Sequence, residues 1–102
     1  MIARLWKTGL NAGRIAAYET FAREISLPMF HEQDGFLGCV MSRAADLGFV
    51  ITFWRDQKAV DALAHSPSYL ATVKRIFATD LLAGEQSIEV TEIHLLALDR
   101  MM

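Results

Sequence analysis

Cysteine occurs once, at Cys39, so no intramolecular disulfide can form and nothing ties the chain to an oxidising compartment. Basic clusters are missing as well. Lys74-Arg75 is the only adjacent basic pair and the formal net charge is -2, which gives no electrostatic case for nucleic acid or an anionic membrane. No apolar run approaches the roughly 20 residues of a membrane span. The N-terminus carries Arg4 and Lys7 and has no uninterrupted apolar core, so it does not read as a signal peptide. A Gly-rich phosphate loop, a Cys-x-x-Cys pair and a nucleophile elbow are all missing, which argues against nucleotide, zinc and hydrolase chemistry. Neither repeats nor linkers interrupt the chain. These exclusions leave one soluble, cytoplasmic domain over residues 1–102 as the expectation.

What is present is apolar. Hydrophobic residues make up 53% of the 102 and charged residues 22%, enough for one hydrophobic core. The densest stretch is Phe49-Val50-Ile51-Thr52-Phe53-Trp54-Arg55-Asp56, which is β-branched and aromatic and reads as a strand. On it Phe49, Ile51 and Phe53 face one way and Val50 and Trp54 the other, so both faces call for burial.

Residues 1–8 alternate loosely and predict a first strand, with residues 9–13 as a connector in which Asn11 is a helix cap. Ile15, Tyr18, Phe21 or Ala22, Ile25 and Met29 then recur at helical spacing. Pro28 predicts a kink or an end near Ser26, with a further turn through His31. Gln33-Asp34-Gly35 is a turn, residues 36–43 a second strand, and residues 44–48 a hairpin loop into the strand at Phe49. Asp56 caps a helix carrying Val60 and Leu63. Ser66-Pro67 restarts it at a new angle, with Leu70, Val73, Ile76 or Phe77, and Leu81 inward. Gly84 is read as the helix stop. A last strand is expected over residues 85–96, with a change of parity near Thr91-Glu92, and the tail 97–102 is expected to fray.

This order predicts an α+β, ferredoxin-like split βαβ fold, a four-stranded antiparallel sheet with its helices on one face. The helices cover one face only. The other, about 400 Å² of partly apolar surface, is at the upper limit of what monomers expose. A homodimer with its sheets packed face to face is the expected solution.

With these pieces in place the chain resembles the antibiotic biosynthesis monooxygenase (ABM) family of dimeric α+β barrels. The resemblance is carried by Met1-Ile-Ala-Arg-Leu-Trp-Lys7, Glu32-Gln-Asp-Gly-Phe-Leu-Gly38, the stretch from Phe49 to Asp56, and Ala64-His-Ser-Pro-Ser-Tyr69. It implies a cavity between sheet and helices in each subunit. In the family's small oxygenases, that cavity takes polycyclic aromatic or quinol-type substrates, which react with oxygen without metal or flavin. Other members degrade haem with an asparagine on the first strand and a tryptophan and histidine in the second helical region. The first strand here has no Asn and residues 57–82 have no Trp, which disfavours haem degradation. No cofactor and no metal are expected. A non-catalytic dimeric binding or stress-response module that holds a small apolar ligand is the alternative.

Within that frame His65 is the candidate catalytic base, since its ordinary pKa of about 6.5 suits proton abstraction from a phenol. The alternative is a surface loop histidine. Trp6, Tyr18, Trp54 and Tyr69 are the candidate substrate-binding residues, with core or interface filler the alternative for the two tryptophans and core packing the alternative for Tyr18. Arg4 and Arg43 could steady an anionic substrate or form salt bridges at the sheet edge. His31, Glu32 and Asp34 read as a solvated helix end before a metal site, His94 as an interface residue, and Cys39 as a small hydrophobe.

Overall fold

The computed structural model describes residues 1–99. The chain runs β1 (Ile2–Leu10), a 3₁₀ turn (Ala12–Arg14), α1 (Ile15–Phe21), a π-helical turn (Ala22–Ser26), α2 (Leu27–His31), β2 (Phe36–Ala44), β3 (Leu47–Trp54), α3 (Gln57–Leu63), α4 (Pro67–Phe77) and β4 (Leu82–Glu92). The strands form one antiparallel sheet in the order β2-β3-β1-β4. The α+β, four-stranded ferredoxin-like arrangement read from the sequence is the one the chain adopts. No helix among the described residues is long and apolar enough to cross a membrane.

The caps act where their residue types predict. The Asp56 carboxylate accepts from the Ala59 N–H at 2.9 Å, and the Ser66 hydroxyl accepts from the Tyr69 N–H at 3.3 Å, with Pro67 in the first turn behind it. Pro28 does not end the first helix. A single wide turn precedes it, in which the Leu27 N–H reaches back five residues to the Ala22 carbonyl, and the helix then continues to His31.

Several boundaries differ from the sequence reading, among them the hairpin loop, which is only residues 45–46 because β2 runs to Ala44 and β3 starts at Leu47. The first strand runs on through Gly9 and Leu10, because Gly9 pairs with Leu47 on one side and Ala83 on the other. The last helix ends at Phe77, where the Thr79 hydroxyl donates to the Ile76 carbonyl at 2.6 Å and accepts from the Leu81 N–H at 3.2 Å. Gly84, with φ at +70°, therefore lies within β4 and stops no helix. The irregularity in β4 sits beside it: Thr8 pairs with Gln86 and Gly9 with Ala83, so the two intervening residues bulge. Pairing then runs unbroken to Ile2 with Glu92, where the strand ends, and no second shift occurs at Thr91-Glu92. Of the tail, residues 97–99 form no helix or strand, and residues 100–102 lie outside the described residues.

Register fixes which side chains meet the helices. Opposite residues of an antiparallel pair share a face, so Cys39, Thr52, Arg4 and Val90 form one row, and Met41, Val50, Trp6 and Ile88 the next. In the middle of the sheet this face is buried: Arg4, Thr8, Leu10, Val50, Thr52 and Trp54 all belong to the interior. The opposite face carries Leu5, Phe49, Ile51 and Phe53, all half-buried, and Val40, 48% exposed, with no helix over them. The helices also stop short of β4, leaving Ile88 at 53% and Val90 at 42% exposure on the helix side.

The core is divided. Met29, Phe30, Val50, Trp54, Ala59, Val60 and Leu63 form one cluster, and Leu10, Tyr18, Phe21, Ile76 and Leu81 another. Trp6 packs against both. A Cβ on Gly9 would land on the Ala83 carbonyl oxygen, while the space around Gly84 is open and only its positive φ resists a side chain. Gly9→Ala is therefore expected to cost about 3 kcal/mol, because the backbone of β4 must move. Gly84→Ala is expected to cost about 1 kcal/mol. Urea midpoints of the two variants would check the order, and equal midpoints would refute it.

Candidate functional site

The seam between the two clusters holds a cavity of about 60 Å³ that is partly open to the surface. Its floor is the helix-facing side of the sheet: Arg4 and Trp6 from β1, Met41 from β2 and Val50 from β3. One wall is a stripe of the first helix, Tyr18, Ala22, Ser26, Met29 and Phe30. The other is a stripe of α4, Tyr69, Thr72, Val73, Ile76 and Phe77. The volume holds a few waters and falls short of the roughly 300 Å³ at which small-molecule pockets begin, so an aromatic ligand must displace side chains. Met29 and Met41, unbranched and adaptable, are the lining residues best suited to give way. Tyr18, Ala22 and Met41 also border an open groove between α1 and β2, so the partition between cavity and groove is one side chain thick at these positions.

Polar groups in the cavity are few. Arg4 is 7% exposed, and its Nη2 donates to the Tyr69 hydroxyl at 2.7 Å. Its guanidinium carbon lies 5.3 Å from the centroid of the same ring. Tyr18 is buried, and its hydroxyl sits over Gly48, where a Cβ would come within 3.1 Å of it. Glycine at 48 is what lets the ring reach that far across the sheet. Burial, with a smaller contribution from the Glu19 carboxylate, pushes the Tyr18 pKa above its ordinary value of 10.0. Tyr18 is thus held as a neutral phenol and is no base near neutrality. Among the described residues no carboxylate and no imidazole lines the cavity.

Three of the candidate residues, Trp6, Tyr18 and Tyr69, meet at this cavity. Two do not. Trp54 is fully buried beneath the helices, its Nε1 donating to the Thr52 hydroxyl at 2.7 Å. Its ring packs edge-on to Phe30 at 6.4 Å and Phe36 at 5.5 Å, which places it in the core and outside the cavity lining. His65 is exposed on the turn between α3 and α4 and does not border the cavity, so a base aimed into that space is not what this turn supplies. The Ser66-Pro67 cap turns α4 so that Tyr69, one turn on, points inward where His65 does not.

The two arginines part company. Arg43 donates to the Ala45 carbonyl at 2.8 Å and pairs with Glu19 at 3.6 Å on the surface. Arg4 makes no ion pair with any described residue. Asp34 pairs with Arg55 at 3.3 Å, and this hydrogen-bonded partner lowers its pKa. His31 packs edge-on against Phe36 at 5.4 Å, and His94 lies exposed beyond the end of β4. Cys39 faces the groove, half-buried, and burial raises its thiol pKa, which keeps it a poor nucleophile. The sequence reading passed over Met41 and Val50, and strand parity was the signal available: both share the face of Trp6.

A four-stranded antiparallel sheet with helices on one face defines a ferredoxin-like α+β protein. The profile of the family described as antibiotic biosynthesis monooxygenase matches residues 1–75, and the chain belongs to that family. No curated protein matches the sequence. Among solved structures, the chain is similar to NE2512, a protein of unknown function from Nitrosomonas europaea, at 18% identity and a TM-score of 0.77, over 97% of this chain and 94% of that one. It is similar to SnoaB, a cofactor-independent oxygenase from Streptomyces nogalater (solved as a mutant), at 16% identity and a TM-score of 0.73, over 93% and 94%. Rv0793 from Mycobacterium tuberculosis gives 18% identity and 0.69, over 97% and 96%. At these identities the likeness is one of fold.

The raised pKa of Tyr18 has a consequence for stability. Below pH 10.0 the phenol is protonated in folded and unfolded chains alike. Above that pH the unfolded chain releases a proton that the folded one retains, so stability is lost as pH climbs from 10.0 towards the pKa of Tyr18 in the folded protein. Tyr18→Phe should flatten this alkaline decline. Urea melts at a series of pH values from neutral upward would measure it, and parallel profiles for the two proteins would contradict the assignment.

Proposed function

We propose that the protein, acting as one domain over residues 1–102, is a cytoplasmic, cofactor-independent monooxygenase that takes an aromatic or quinol-type compound into the cavity between sheet and helices. One observation carries the reading: in a chain of this family, the buried seam between the two core clusters is apolar apart from Arg4, Tyr18 and Tyr69 and the small hydroxyls of Ser26 and Thr72. Such a space suits a planar ring held by its faces and oriented by a few hydrogen bonds. Trp6 and Tyr18 supply aromatic lining, and the Tyr69 hydroxyl, paired with Arg4, is a donor for a ring oxygen. In the reaction a ring CH₂ and O₂ become a ring C=O and water. Two C–H bonds and the O–O bond break, and the substrate supplies every electron that reduces the oxygen atoms. Proton abstraction is the step these residues serve least.

That same observation supports the second reading, a dimeric module that holds an apolar ligand without turning it over. No carboxylate or imidazole among the described residues borders the cavity, and Tyr18 is driven towards its neutral form. The reading of the assembly as a homodimer is supported by the uncovered sheet face, where Leu5, Phe49, Ile51, Phe53 and Val40 lie without a helix over them.

Oxygen consumption with a panel of hydroquinones and anthrones separates the two functional readings. Turnover is expected, with His65→Ala equal to wild type and Trp6→Ala depressed about tenfold or more, as truncation of a positioning wall costs. Binding without oxygen uptake across the panel would leave the non-catalytic reading standing alone. Sedimentation at micromolar concentration is expected to give a dimer, and Ile51→Glu, on the uncovered face, a monomer. A monomeric wild type would overturn the assembly.

A further inference from the structure

We propose that the cavity is built for a ligand bearing an anionic oxygen, a carboxylate or an ionised phenol or enol, and that the Arg4 guanidinium is its anchor. The inference rests on the reading above, that an aromatic compound enters this space, and it specifies the charge that compound carries.

The case begins with a cation where folding alone gives little reason for one. Arg4 projects from the middle of β1 towards the helices and is 7% exposed. Its direct cross-strand neighbours are Thr52 and Val90, neither of which carries charge. Buried guanidinium groups are normally matched by a carboxylate, because an unpaired charge removed from water is costly. The ion pairs among the described residues are made by Arg14, Arg43 and Arg55 instead, all near the surface. Arg4 has only the neutral Tyr69 hydroxyl, at 2.7 Å.

A guanidinium carries five N–H donors, and this bond uses one of them. Every fully enclosed side-chain nitrogen and oxygen among the described residues has a hydrogen-bond partner. The Arg4 nitrogens without a bond therefore keep some accessible surface, and Arg4 is one of the residues that line the cavity. Tyr69 strengthens the arrangement. Its hydroxyl accepts from Arg4 and keeps its own proton to donate, so two donors from different elements are tied together at one point of the cavity wall. A charged fork backed by a phenol O–H matches an anionic oxygen in both charge and geometry. A cationic ligand would be repelled there, and a neutral hydrocarbon would leave the guanidinium uncompensated. Among the described residues no acidic side chain lines the cavity to compete for the site.

The test is calorimetric binding of matched pairs at neutral pH: benzoate against benzamide, and 2-naphthoate against 2-naphthamide. Wild type is expected to bind each acid about ten- to a hundredfold tighter than its amide, the range of a charge-assisted hydrogen bond. The double variant Arg4→Met/Tyr69→Phe, which leaves no orphaned hydroxyl, is expected to lose the preference while still binding the amides. Arg4→Lys is expected to retain part of it and serves should the double variant fail to fold. Acids and amides bound equally by wild type would overturn the anion site alone and leave the aromatic cavity in place. So would a preference that survives in the folded double variant. Failure of all four compounds to bind would remove the cavity reading and the anchor with it. 2-Naphthol distinguishes the sources of the charge: the naphtholate absorption spectrum in the complex at neutral pH points to an ionised phenol, and the neutral naphthol spectrum beside tight naphthoate binding points to a carboxylate.

Discussion

The pairing of β1 with β3 is the constraint on which the rest of this structure depends. It runs from Ile2 opposite Trp54 to Gly9 opposite Leu47 without a shift. Because side chains alternate, a slip of one residue would exchange the faces of a strand completely. Arg4, Trp6 and Thr8 would leave the helix side, and Leu5 and Lys7 would take their places. Trp54 holds the register against that. Its indole N–H is satisfied by Thr52, two residues earlier on the same face, and its ring is enclosed by Phe30 and Phe36.

From this register follows the division of the interior. One cluster gathers around Trp54, beneath α2 and α3; the other gathers around Tyr18 and Phe21, beneath α1 and the C-terminal half of α4. Trp6 is wide enough to touch both but does not close the gap between them. The cavity is that gap. Arg4, Tyr18 and Tyr69 arrive from three separate elements, β1, α1 and α4, so the site exists only when sheet and helices are assembled.

Much of the fold was legible in the sequence because its signals are local. Asp56 and Ser66-Pro67 are caps by their own chemistry, and the apolar spacing from Ile15 to Met29 needs no tertiary knowledge. The family resemblance was legible on the same local pieces. What could not be read was whatever depends on a second element. Gly84 has the residue type of a helix stop, and only the pairing of Gly9 with Ala83 shows that the glycine serves a bulge instead. Alternation separated Trp54 from Phe53 but did not say which of the two lay under the helices. His65 and Tyr69 both flank a helix break, and their directions were decided by where Ser66 turns the chain. Arg4 was readable as a cation on a strand. That it is buried without a carboxylate is a property of its cross-strand neighbours, which sequence proximity does not reveal.

The π-helical turn at Ala22–Ser26 carries a last implication. An α-helix advances about 100° per residue. Tyr18 and Phe30, twelve residues apart, would thus differ by about a third of a revolution on an unbroken α-helix. Both nonetheless border the same cavity. The wide turn holds one residue more than an α turn, and that surplus residue brings Phe30 back to within about 20° of Tyr18. The shape of this wall is therefore set by a count of residues as much as by their chemistry. A relative lacking that surplus could keep every lining side chain in its sequence and still present a different surface to whatever enters.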